Sequence, residues 1–263
     1  MADLEALLAD FTAECADLDR LIADLDPTGW ERDTPAAGWT IAHQIAHLNW
    51  TDRVAAIAAT DPVEFDQLVQ AALPKALTFV DEAAEEGAKT PAPQLLADWR
   101  RDRTALVDAL RTVAAGTKLP WFGPPMSPAS MVTARLMETW AHGQDVADTL
   151  GVTREPTARL RHIAHIGVRT RNFAYVTHGK TAPAEEFRIE LNAPDGSLWT
   201  WGPEDAAQRI TGPAWDFCQL VTQRRHLDDL ALEVRGAEAL EWLGLAQAFA
   251  GPPGTGRAAG QFA

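Results

Sequence analysis

Met137-Glu138-Thr139-Trp140-Ala141-His142-Gly143-Gln144-Asp145 places a carboxylate and an imidazole four positions apart in a run of helix-compatible, largely apolar residues. Side chains at i and i+4 leave a helix from one face, one turn apart, so Glu138 and His142 can grip a single ion without strain. Leu136, Met137, Trp140, Ala141 and Val146 surround the pair. A carboxylate beside a histidine in such apolar company needs a compensating positive charge, and an ion supplies one. Ser127-Pro128 gives an N-cap with a first-turn proline and Gly151 a C-terminal stop, which predicts one helix over 128–150.

A candidate for the third ligand, from another helix, lies upstream in Gly38-Trp39-Thr40-Ile41-Ala42-His43-Gln44-Ile45-Ala46-His47-Leu48, where Thr40 can cap a helix running to about Ala59. His43 and His47 are themselves four apart. His43 sits nearer the helix start, where an imidazole is more often exposed or capping, so His47 is the better ligand. Three protein ligands leave a coordination position open, the layout of a catalytic rather than a structural site. Histidine and carboxylate together suit Zn²⁺ and also accept Fe²⁺, Mn²⁺ or Ni²⁺. A di-iron bundle would need Glu-x-x-His on two helices, a pattern this chain lacks. Asp145, three residues after His142, is a candidate to orient that histidine or an exposed helical acid. Trp39, Trp50 and Trp140 read as core.

Further outward, Leu4, Leu7, Leu8, Phe11, Cys15, Leu18, Leu21, Ile22 and Leu25 recur at spacings of three and four, a first amphipathic helix over 3–25. Asp61-Pro62-x-Glu64 starts another helix, which Pro74 divides or kinks, and Thr90-Pro91 opens the next. The Gly- and Pro-rich stretch 116–128, with Trp121 and Phe122, is a loop of the kind that lies over sites. Long helices with short joins make an antiparallel bundle the economical architecture for residues 1–153. Residues 154–263 change character. A helix over 156–179 precedes alternation at 186–192, an Ala193-Pro194-Asp195-Gly196 turn and alternation at 197–201, a β-hairpin. Strands at 207–211 and 230–235, helices at 213–223 and 237–249, and a loose tail from Gly251 complete a small α+β domain.

The 263 residues and 46% apolar content suffice for a soluble core. Net charge is −14, and residues 1–153 hold 24 Asp/Glu against 11 Lys/Arg, so the acidity belongs to the first half. Such a surface repels phosphate backbones, which argues against nucleic acid, and no apolar run is long enough to span a membrane. Met-Ala-Asp-Leu-Glu is unlike a signal peptide, so the expectation is a cytoplasmic protein. Cys15 and Cys218 have no framework spacing and read as buried small hydrophobes.

The set Gly38-Trp39-Thr40, His47-Leu48 eight residues after the tryptophan, and Glu138-x-x-x-His142-Gly-x-Asp145-Val146 resembles the DinB-like metal-binding superfamily, in its mycothiol-dependent maleylpyruvate isomerase branch. The resemblance implies a mainly α fold, a DinB-like bundle followed by a small sterol-carrier-like α+β domain. It implies zinc held by His47, Glu138 and His142. It also implies an active-site arginine after a Gly-x-x-x-Asp helix, a pattern that Gly212, Asp216 and either Arg224 or Arg225 fit. A solvated arginine at a helix end is the plain alternative.

The implied activity is a metal- and mycothiol-dependent isomerase or thiol transferase acting on a small electrophilic metabolite, anionic or neutral, with a low-molecular-weight thiol as partner. A thiol-independent metal hydrolase or lyase, and a non-catalytic ligand-binding protein with a structural ion, are the competing readings. Arg161, His165 and Arg169, at i, i+4 and i+8, are either a cationic face toward a cleft or a solvated stripe.

Overall fold

The computed structural model describes residues 3–262, and the chain divides into two compact units that meet between Arg154 and Glu155. The first unit is helical. In α1 (Leu4–Ile22), the Asp3 side chain caps the start by accepting from Glu5 N, and Leu7, Leu8, Phe11, Cys15, Leu18 and Ile22 form its buried stripe. A single turn, α2 (Pro27–Trp30), follows, then α3 (Ile41–Thr60), α4 (Pro62–Ala72) and α5 (Phe79–Ala88). Asp61 caps α4 by accepting from Val63 N and Glu64 N. Pro74 lies in a 3-10 turn that separates α4 from α5, as its missing N–H requires. Then come α6 (Ala92–Thr112) and α7 (Pro128–Leu150), the latter stopped by Gly151 in the left-handed region at φ 70°.

Helix α3 packs against α5, α6 and α7, and α1 packs along α7. Between α3 and α7 lies a buried ion pair: Arg135 Nε donates to Asp52 Oδ1 at 2.9 Å, and Trp99 Nε1 of α6 donates to Asp52 Oδ2 at 3.3 Å. Burial pushes the Asp52 carboxyl up, against the Arg135 charge beside it. A second buried pair joins Glu14 of α1 to Arg154, whose Nη1 also donates to Trp140 O. Cys15 and Cys218 are free and buried, and desolvation pushes both thiols up, as inert core cysteines behave.

The second unit has a mixed four-stranded sheet in the order β2-β1-β3-β4. Strands β1 (Arg188–Asn192) and β2 (Leu198–Trp201) form the expected antiparallel hairpin, Ile189 facing Trp201, closed by Asp195 accepting from Ser197 N. Strand β3 (Arg209–Pro213) runs parallel to β1, and β4 (Glu233–Arg235) antiparallel to β3. Helices α8 (Leu160–Arg169), α9 (Arg171–Thr177), α10 (Ala214–Val221) and α11 (Ala237–Leu243) complete the unit.

Three expectations need correction. The single helix over 156–179 starts at Leu160 and breaks at Thr170, whose hydroxyl donates to the Ile166 and Gly167 carbonyls alongside its own N–H bond to Ile166 O. The helix expected over 237–249 ends at Leu243. The tail is not loose: Gly260 N donates to Asp229, Gln247 Nε2 donates to Gly251 O, and Phe262 lies 4.0 Å under the Arg225 guanidinium.

Arg161, His165 and Arg169 are all exposed, a solvated stripe, but two of the three are engaged by aromatic side chains. Arg161 sits over Trp199 at 5.9 Å, and Trp201 Nε1 donates to His165 Nδ1 at 3.2 Å. Burial, then the charges of Arg169, His162 and Arg161, push the His165 imidazole down, which keeps its Nδ1 an acceptor.

Where α8 crosses α10, a Cβ on Gly167 would stand 2.8 Å from Val221 Cγ2, and Val221 is fully buried. Overpacking costs about 1–3 kcal/mol, while alanine gains up to about 1 kcal/mol of helix propensity. Gly167→Ala is therefore expected to lower stability by about 1 kcal/mol, read as a smaller midpoint in urea unfolding; an unchanged or raised midpoint would contradict this packing.

Candidate metal centre

Helix α3 delivers His47 and helix α7 delivers Glu138 and His142, and one ligand atom from each lies within 4.8 Å of the other two. Glu138 Oε2 is 3.2 Å from His142 Nε2 and 3.5 Å from His47 Nε2, and the two imidazole rings are 4.5 Å apart. The three side chains are 10–20% exposed, enough for a small molecule to reach. Burial alone would push Glu138 up, but hydrogen bonds from His142 and His47, with their charge, hold it well below the usual carboxylate range.

Gln44, three residues before His47 on α3, supplies an orienting contact that the sequence reading did not assign. Its Oε1 accepts from His142 Nδ1, and its Nε2 donates to Thr34 Oγ1 at 2.8 Å; Thr34 Oγ1 in turn donates to Trp39 O at 2.7 Å. With the proton on Nδ1, His142 Nε2 presents a lone pair toward a carboxylate. In that neutral ring two acceptors face each other across 3.2 Å, an arrangement that either a cation between them or a second proton on the ring satisfies. The donor set therefore fits a divalent ion, and one carboxylate with two imidazoles suits zinc and also Fe²⁺, Mn²⁺ or Ni²⁺. Asp145 is fully buried on α7, so its reading as an exposed acid does not hold.

His43 takes the capping role. Its Nδ1 accepts from Thr40 N, and its Nε2 donates to Glu85 on α5 at 2.9 Å. Of the three tryptophans read as core, Trp140 is buried. Trp39 and Trp50 are only half-buried and stand at the centre: Trp39 stacks on His142 at 5.8 Å and tilts against His47 at 5.4 Å. Apolar periodicity cannot separate a ring in a core from a ring lining a site. Arg224 and Arg225 follow α10 in the second unit, where Arg224 Nη1 donates to Thr222 O and Arg225 Nη1 to Arg224 O.

Because the Gln44 amide orients His142, Gln44→Leu is expected to weaken zinc binding about 10–100-fold while keeping the helices, as measured by chelator competition beside circular dichroism. Wild-type zinc affinity in this variant would remove Gln44 from the centre.

Comparison with known proteins follows the same outline. The domain model described as mycothiol maleylpyruvate isomerase N-terminal domain matches residues 11–147, and one described as wyosine base formation matches residues 183–235. Two uncharacterized proteins of Mycobacterium tuberculosis, from strains CDC 1551 / Oshkosh and H37Rv, are each 58% identical over 257 residues, covering 98% of this chain and 100% of theirs. The crystal structure of the mycothiol-dependent maleylpyruvate isomerase aligns with a TM-score of 0.57 at 16% identity over 84% of this chain and 90% of that one. A histidine-to-alanine mutant of it aligns at 0.56. At that identity the likeness is one of fold. With the first domain model spanning more than half of its length, the chain belongs to the mycothiol maleylpyruvate isomerase N-terminal domain family.

Proposed function

We propose that this protein is a metal-dependent enzyme that uses mycothiol to isomerise a small electrophilic metabolite or to transfer the thiol to it. The observation that carries the reading is the convergence of His47, Glu138 and His142 on one point, in a member of a family named for a mycothiol-dependent isomerase. These three residues would hold the ion, and a bound divalent ion supplies Lewis acidity that lowers the pKa of a thiol or water beside it. Gln44 fixes the His142 tautomer, and Trp39 screens both imidazoles from bulk water. Arg224 or Arg225 is proposed to hold an oxygen of the substrate, on the strength of the Gly212/Asp216 pattern. A small-molecule substrate and thiol, in a cytoplasmic setting without nucleic-acid or membrane partners, belong to the same proposal. The acidic composition supports it, and no helix among the described residues is long and apolar enough to cross a membrane.

Metal analysis of the purified protein, followed by assays of activated alkenes with and without mycothiol and after chelation, tests the proposal. Turnover is expected to need both ion and thiol. Activity that survives chelation ends the reading, and activity that needs the ion but no thiol replaces it with a metal hydrolase or lyase. Of Arg224→Ala and Arg225→Ala, one is expected to lower kcat/KM while retaining the metal.

A further inference from the structure

A band of rings runs from the metal centre across the first unit. Trp50, one turn after His47 on α3, lies 6.5 Å from that imidazole, stacks with Phe122 at 6.1 Å and 25°, and meets Phe79 of α5 edge-on at 5.8 Å. Phe122 and Trp121, from the loop between α6 and α7, close over Phe65 of α4 at 5.3 and 6.0 Å. Leu119 and Met126 exchange main-chain hydrogen bonds across the base of that loop, so its aromatic tip is held by a paired stem. Phe65 is fully buried, and Trp50, Trp121 and Phe122 pack against the cluster it forms with Val54 and Ala58, yet Trp39, Trp50, Phe79, Trp121 and Phe122 are only half-buried, so each keeps part of its surface open to solvent. At the Trp39 end of the band stand two acids of α5: Trp39 Nε1 donates to Asp81, and the neighbouring His43 Nε2 donates to Glu85.

Aromatic faces in a partly dry setting attract apolar and aryl groups, while an acidic rim in a half-chain of net charge −13 repels a carboxylate. We infer that the electrophile handled at this centre carries a neutral, aryl-sized apolar group that lies against Trp50 and Phe122, and that a carboxylate at that position is rejected. The inference rests on the metal-centre reading above and specifies the substrate class for it.

Hydroxamates separate the two claims, because each chelates zinc through the same head and differs only in its tail. Titration of the zinc-loaded full chain is expected to show benzohydroxamate binding about tenfold tighter than acetohydroxamate and succinic monohydroxamate binding more weakly than either. Trp50→Ala is expected to keep its zinc and its acetohydroxamate affinity and to lose the aryl advantage, which Trp50→Phe retains. If Trp50→Ala fails to fold, Phe122→Ala in the loop carries the same comparison. An aryl advantage below about fivefold, its persistence in the alanine variant, or tight binding of the succinic compound overturns the inference while leaving the metal centre intact. Failure of all three compounds to bind zinc-loaded protein overturns the metal-centre reading itself, and the inference with it.

Discussion

Glu138→Gln protein is expected to purify folded and nearly free of the divalent ion that the wild type retains. The substitution keeps the volume of the side chain and removes the only charge among the three donors, leaving two neutral imidazoles against a dication. Loss of a group that merely orients a ligand weakens binding about 10–100-fold, so loss of the carboxylate ligand should exceed that range. Thermal unfolding gives an independent reading. An ion present at 100 times its dissociation constant stabilises the folded state by about 2.7 kcal/mol, and added zinc should raise the midpoint of the wild type but not of the variant. Stoichiometric metal in Glu138→Gln would mean that the three side chains meet for another reason.

The second large effect concerns the interior. Arg135→Met should destabilise the first unit by about 3–5 kcal/mol, because Asp52, fully buried, would keep the Trp99 indole as its hydrogen-bond donor and the weaker influence of the Arg103 charge. The sign of the pH dependence follows from the same group. Burial already pushes the Asp52 carboxyl up, and Arg135 is the largest opposing influence, so its removal raises that carboxyl further. An acid whose folded-state pKa lies above its unfolded value destabilises increasingly as pH rises through the folded value and is relieved as pH falls. The deficit measured by urea unfolding should therefore shrink from pH 7 to pH 5. The double change Asp52→Leu with Arg135→Met should recover much of the loss, since it leaves no unpaired buried charge. A single variant as stable as the wild type, or one that worsens in acid, would contradict this account.

Local geometry explains what could be read without coordinates. Glu138 and His142 are one turn apart, so their convergence needs only a helix, and the caps at Ser127, Thr40 and Asp61 declare where helices begin. The choice of His47 over His43 also followed from position within a helix, since the first turn offers unpaired amides that an imidazole can cap. What stayed hidden depends on partners far along the chain. Arg135 and Asp52 are 83 residues apart and look like ordinary surface charges in their own segments. The parallel pairing of β1 with β3 has no local signature, whereas the β1–β2 hairpin is announced by its turn. Gln44 lies on the His47 face of α3, a signal available from spacing, but an amide there has many possible uses.

One small contact near the centre has a wider reach. The Thr34 hydroxyl spends its single proton on the main-chain carbonyl of Trp39, so toward Gln44 it can only accept. That sets which end of the amide points which way, and a flipped amide would confront two acceptors with each other. The polarity of the relay thus originates at a threonine outside any helix, and it dictates which ring nitrogen of His142 is free to bind. A valine at position 34, similar in shape but mute in hydrogen bonding, would let the amide turn and leave that histidine undecided.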